Sequence, residues 1–322
     1  MTATRQIVTG ALVCVVLAGC GSEQPLVAKP AADTRTHPVV AARQATGILD
    51  RIDAALGSAV ADPARVGGPY LEIRTARRKQ AQARKLTSPA PPAPGRTRLV
   101  VPSSTSWPRF FLAVGQRTGQ STPSLRLLLS QQARAPYQLW AELVMLPGAT
   151  LPEMPPVDPG AEVLAPAGTA DLLRSPLDAL TRYADLLTRG PASPEAKSFA
   201  PNTFTTQVTG QQQTDRTGLA KIATVTATHA LVPETVFAVR TADGGALVVG
   251  RLQQKVSIVV KPDAGTVKVS DLDLAALAGR SVFSKSVTRV SAELVALYVP
   301  PAGSTLIDVI AAEKADLTVT GS

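Results

Sequence analysis

The chain has 322 residues, 45% hydrophobic and 18% charged, with a net charge of +9. That balance excludes a disordered polymer, and the length suffices for two packed domains. Two cysteines and two histidines exclude a disulfide scaffold and leave too few soft ligands for a zinc-type centre.

The N-terminus reads as an export signal. Met1 to Gln6 carries one cation, Arg5; Ile7 to Leu17 is apolar; Leu17-Ala18-Gly19-Cys20 closes the run. Eleven residues of helix span about 16 Å, too short for a hydrocarbon core of about 30 Å. The spacing matches a lipobox. We therefore expect a signal peptide over 1–19, cleavage between Gly19 and Cys20, and a diacylglyceryl group on the Cys20 sulfur. The mature protein is then held by lipid on the outer, extracytoplasmic face of the cell membrane. The plainer alternative is an ordinary secretory signal cut elsewhere. Cys14 leaves with the signal, so no thiol remains for disulfides.

Residues 20–43, with Pro25, Pro30 and Pro38, read as a tether. From Gln44 the apolar positions Ile48, Leu49, Ile52, Leu56 and Val60 share a helical face, with Thr46 as cap and Pro63 as stop. Tyr70 to Leu86 is a second, basic helix, and Ser88 to Gly95 is a proline-rich loop. Strands follow at Thr97–Pro102, Phe110–Val114, Leu125–Leu129 and Tyr137–Met145. In the last of these Leu139, Ala141 and Leu143 face one way and Trp140 the other. These make a first α+β domain over 44–151, and a proline-rich linker spans 152–170.

The second domain, 171–322, opens at Ser175-Pro176-Leu177-Asp178, a capped helix that Gly190-Pro191 ends. Strands are expected at Phe204–Thr209, Ile222–Leu231, Thr235–Thr241, Ala246–Leu252, Val256–Lys261, Val290–Val299 and Ala315–Val319. Asp243-Gly244-Gly245 is a hairpin signal, and Ser270 to Gly279 is a short capped helix. Helix-then-sheet thus occurs twice, the order of two tandem α+β domains in which a curved antiparallel sheet wraps a helix, as in NTF2-like or cystatin-like folds.

Nine of the basic residues fall between Arg65 and Arg98 against a single acid, Glu72, so most of the excess charge is local. A local cluster on an exported protein argues against nucleic acid. Arg74, Arg77, Arg78, Lys79, Arg84 and Lys85 are either a solvated face or a contact surface for anionic lipid, an acidic polymer or an envelope protein. Trp107, Arg109 and Trp140 form a candidate aromatic contact surface; the plainer reading is core.

Catalytic chemistry has few candidates. His37 lies in the tether, and His229 shares a strand face with Val225, Ala227 and Leu231, where a packed, hydrogen-bonded histidine is the ordinary outcome. A nucleophile motif, a phosphate loop and a metal-ligand cluster are all missing from the sequence. Asp271 and Asp273 are explained by helix capping. No catalytic residue, cofactor or metal is expected.

A set of short stretches resembles an uncharacterised family of actinobacterial exported lipoproteins. They are Gly68-Pro69-Tyr70-Leu71-Glu72, Trp107-Pro108-Arg109-Phe110-Phe111, Ala135-Pro136-Tyr137-Gln138-Leu139, Leu146-Pro147-Gly148 with Leu151-Pro152, and Ser175-Pro176 with Tyr183-Ala184-Asp185-Leu186-Leu187. The resemblance implies paired NTF2-like or cystatin-like domains behind a lipobox and brings no site with it. The functional expectation is a non-catalytic binding module in the cell envelope. The alternative is a small-molecule pocket or NTF2-like enzyme in the second domain, which would need His229 and a carboxylate together.

Overall fold

Helix α1 (Ala42–Leu56) buries Ala45, Leu49, Ile52 and Leu56, a stripe with helical spacing that the sequence already showed. A computed structural model of the chain describes residues 37–58, 62–86, 97–116, 121–169 and 171–322. The expected signal, Gly19, Cys20, most of the tether and the Ser88–Gly95 loop lie outside the described residues. After α1 come helix α2 (Gly68–Ala83) and strands β1 (Thr97–Val100), β2 (Pro102–Ser103), β3 (Arg109–Gly115), β4 (Ser124–Ser130), β5 (Gln138–Met145) and β6 (Ala161–Glu162). Helices α3 (Pro176–Arg189) and α4 (Thr203–Leu219) follow, then β7 (Ala223–Leu231), β8 (Phe237–Arg240), β9 (Ala246–Val260) and β10 (Val267–Lys268). Helix α5 (Leu272–Ala278), β11 (Val282–Phe283), β12 (Ser286–Val299) and β13 (Asp308–Gly321) complete the order.

Nine strands make one open antiparallel sheet in the order β1-β3-β4-β5-β13-β12-β9-β7, with β8 paired to the first part of β9. The fold is α+β, as expected. One face of the sheet packs on itself: Leu112, Leu125, Leu127 and Leu143 share a core with Leu247, Val249, Leu294 and Ala296. The other face is covered by helices. Phe111, Leu128 and Leu139 lie under α1, and Val248, Leu252, Val295 and Leu297 lie under α3 and α4. Each buried leucine or valine contributes about 1.5–3 kcal/mol, so both faces are needed to offset the ordering of so long a chain.

Residues 36–322 form one unit. The halves on either side of the expected linker meet where β5 pairs with β13, over Met145↔Ala311 and Val144↔Ala312, with Leu146 N–H donating to Ile310 O at 2.9 Å. Helix α2 packs on both of these strands. The linker itself is part of the body: Met154 and Leu164 are buried, and β6 pairs with β2.

Four expectations change. Phe204 to Thr209 is not a strand but the start of α4. Asn202 caps it by accepting from Thr205 N–H at 2.8 Å, and Phe204, Val208 and Gln212 are buried at four-residue spacing. The two strands expected over Ala246–Leu252 and Val256–Lys261 are one, β9, since Gln253 and Lys255 point outward while Gln254 is buried between them. The first helix starts at Ala42, where Gln44 Oε1 accepts from Ala41 N–H, so Thr46 is inside the helix and donates back to Ala42 O. The alternation expected in β5 breaks at a register shift between Leu127 and Leu128, so Trp140 shares a core with Ala141 and Leu143.

Candidate functional site

The candidate site is the polar ladder across β7, β9, β12 and β13. His229 stands opposite Gln254, Gln254 opposite Ser291, and Ser291 opposite Asp316; one row on, Glu293 stands opposite Lys314. Two-residue periodicity turns this row toward α3 and α4. His229 Nδ1 lies 2.7 Å from Glu293 Oε2, and both side chains are 0% exposed. His229 Nε2 lies 2.7 Å from Gln212 Nε2 and 3.3 Å from Gln254 Nε2. The backbone N–H of His229 donates to Thr188 Oγ1 of α3 at 2.9 Å.

The tautomer follows from the donors. Gln212 Nε2 also donates to the carbonyl of Leu187 at 3.1 Å, so its amide must present NH₂ on this side and donate its second hydrogen to His229. Nε2 is then the acceptor, and Nδ1–H donates to Glu293. Ser291 Oγ donates to Asp316 Oδ1 at 2.5 Å, and Arg289 lies 3.4 Å from Asp215 and 3.6 Å from Asp316. Glu293 Oε1 is buried without a hydrogen bond, with Lys314 Nζ 3.6 Å away. Burial lowers the Lys314 pKa, and the Glu293 charge opposes that shift. Tyr183, whose hydroxyl meets Thr205 Oγ1 at 2.9 Å, has its phenol pushed well up by burial.

A carboxylate holding imidazole Nδ1–H is half of a general-base arrangement. The other half is a free Nε2 within reach of a substrate proton. Here Nε2 is occupied by Gln212 beneath α4, and the ring has no exposed surface. The arrangement locks α4 to the sheet. His229 was legible as a packed histidine. Its partners were not, although Glu293 is the lone acid in the apolar run Ala292 to Val299, and that signal was available.

The basic residues are mostly used by the fold. Arg74 donates to the carbonyls of Leu56 (3.2 Å) and Ser58 (2.9 Å), and burial lowers its pKa, with Arg78 adding to the effect. Arg77 pairs with Glu313, Arg78 reaches Ser58 O at 3.5 Å, and Lys79 donates to Leu277 O at 3.0 Å. Arg84 holds Asp273 through two bonds of 2.6 and 2.7 Å. Lys85 is exposed. Helix α2 is thus tied to α5 and β13, and Glu72 of the same helix receives two bonds from Arg251.

The aromatic residues separate. Trp140 is buried, edge-on to Phe237 at 4.9 Å. Trp107 is 36% exposed, with the Arg109 guanidinium 4.6 Å over its ring. Asp271 caps α5, accepting from Asp273 N–H and Leu274 N–H at 2.7 and 3.1 Å. Among the described residues no group of three His, Cys, Asp or Glu side chains could hold a metal ion, and no helix is long and apolar enough to cross a membrane.

No curated protein and no solved structure matches the chain. A family model for a domain of unknown function, DUF8094, matches residues 36–321, which include the sheet and helices α1 to α5. The chain belongs to that family.

Proposed function

We propose that the protein is a lipoprotein held by a diacylglyceryl group on Cys20 at the outer face of the cell membrane, where it acts as a non-catalytic binding module of the cell envelope. Its link to exported actinobacterial lipoproteins, and the likeness of each half to an NTF2-like or cystatin-like domain, belong to the same reading. The observation that carries the non-catalytic part is the capped Nε2 of His229: the buried pair of His229 with Glu293 is closed by Gln212. The N-terminal pattern Leu17-Ala18-Gly19-Cys20 carries the anchor. Two acyl chains contribute about 0.8 kcal/mol per buried CH₂, enough to hold the protein without a protein contact.

The test is mass spectrometry of the mature N-terminal peptide with fractionation of the producing cells. A peptide that begins at an acylated Cys20, with a Cys20→Ser variant released from membranes, supports the reading. A mature chain that begins elsewhere without lipid sinks it.

A further inference from the structure

Three segments without an acidic residue converge around Val39 and β2; β6, paired to β2, adds Glu162, which Arg240 holds, and the exposed Asp158 precedes it. The first is residues 37–49, in which Pro38 bridges to Ser103 and Val39 N–H donates to Pro102 O at 2.8 Å. The second, residues 101–108, leaves β2 and carries Trp107 into Arg109. The third, residues 130–137, is the turn between β4 and β5; it holds the exposed Arg134 and sits beside Arg109 through the Arg109↔Ser130 pair. Tyr137 closes the group: its hydroxyl donates to Val39 O at 3.5 Å, and Arg109 stands near enough to oppose the rise that burial imposes on its phenol.

This end therefore gathers Arg43, Arg109 and Arg134 and a partly exposed tryptophan, and none of the three arginines has an ion pair among the described residues. None of these is held by a carboxylate; Arg109 lies over Trp107 with its Nε buried, and Arg43 and Arg134 are exposed. The ring and cation pair of Trp107 and Arg109 has one apolar and one charged surface, the combination that suits the headgroup layer of a bilayer. Distance argues the same way. Sixteen residues separate Cys20 from His37. Covalent reach limits a link of that length to at most about 60 Å, so an anchor at Cys20 would keep this end within that distance of the membrane. Each cation near an anionic surface strengthens contact about fivefold.

On the proposed anchoring at Cys20, we infer that the end bearing Trp107, Arg109, Arg134 and Arg43 rests on anionic lipid headgroups of the same membrane. The anchor sets proximity; this surface sets orientation.

The test uses the full-length lipidated protein in phosphatidylcholine vesicles with or without phosphatidylglycerol, some of the lipid brominated. With Trp140→Phe, Trp107 is the one tryptophan left; the difference between wild type and Trp107→Phe reads the same signal if that variant folds poorly. The expected result is a blue shift and loss of most Trp107 emission in the anionic vesicles. Both should disappear in Arg109→Glu/Arg134→Glu, while the protein still floats with the vesicles and the Cys20 peptide still carries its acyl mass. Unquenched Trp107 in acylated, floating protein overturns the proposal, as does Trp107 shielded only after an envelope protein is added. An unmodified Cys20 peptide overturns the anchor reading and this orientation with it, and the two failures are told apart by the peptide mass.

Discussion

Replacing His229 by alanine should unsettle the second half of the sheet more than any surface substitution. Two buried groups lose their partner at once: Glu293, whose side chain is 0% exposed, and Gln212, which is 3% exposed. A hydrogen bond to a charged group contributes about 1.5–3 kcal/mol, and an orphaned buried donor costs about 1–3 kcal/mol. The expected loss is about 3–5 kcal/mol, the range for breaking a buried pair from one side. Against a total stability of about 5–15 kcal/mol that is a large fraction. Glu293→Ala should be comparably damaging, since it strands the imidazole N–H and leaves Lys314 without its nearby carboxylate. The double variant removes both halves, so its loss should fall short of the sum by about 1–3 kcal/mol. Urea titration followed by circular dichroism gives all three values from the midpoints, provided the slopes agree. If the single losses add to the double within about 0.5 kcal/mol, the two side chains are not coupled and the ladder described above is wrong.

Gly68 has φ +54, and a Cβ there would meet Trp140 Cδ1 at 2.4 Å. Gly68→Ala should cost about 1–3 kcal/mol and perturb Trp140 fluorescence; an unchanged melting temperature would contradict that packing. Burial raises the Glu313 pKa, with Arg77 opposing the rise, so the stability this group provides below its unfolded value is lost as pH climbs through its folded value. Thermal melts at about pH 4 and pH 7 should therefore show Glu313→Gln gaining on wild type at the higher pH; a pH-independent gap would count against it. Ser175 accepts from Asp178 N–H at 3.2 Å at the start of α3. Ser175→Ala should lose about 1 kcal/mol in the same urea assay, and a loss below a few tenths would mean the cap is idle.

Much of the fold was legible because local signals agreed with the tertiary outcome. The Ser175 cap, the stop at Gly190, the Asp243–Gly245 hairpin and the α5 cap at Asp271 all stand where short-range chemistry puts them. Helix α4 was missed because Thr203-Phe204-Thr205-Thr206-Gln207-Val208 favours extended chain by residue type. The sheet overrides that preference by offering a surface to Phe204, Val208 and Gln212. The Asn202 cap was the available clue. The ladder at His229 was half legible: periodicity faced the histidine inward, but the partner at Glu293 depends on the order β12-β9-β7, which no local pattern encodes. The pairing of the basic cluster was hidden for a similar reason. Charge along a helix looks like a surface, and only long-range pairing to Glu313 and Asp273 reveals its use in holding the body together.

Strand β13 is the centre of the sheet, yet it is built from residues 308–321. A chain that emerges N-terminal end first must keep the open side of β5 waiting until every other strand of the sheet has appeared. Such an unsatisfied edge invites the wrong neighbour, and so distant a closing contact makes for slow folding. The order of synthesis thus leaves that edge bare until Asp308 to Gly321 has emerged: a product cut short before Asp308 keeps β5 and β12 unpaired along the seam, held only by the shared core, and is exposed to proteases there.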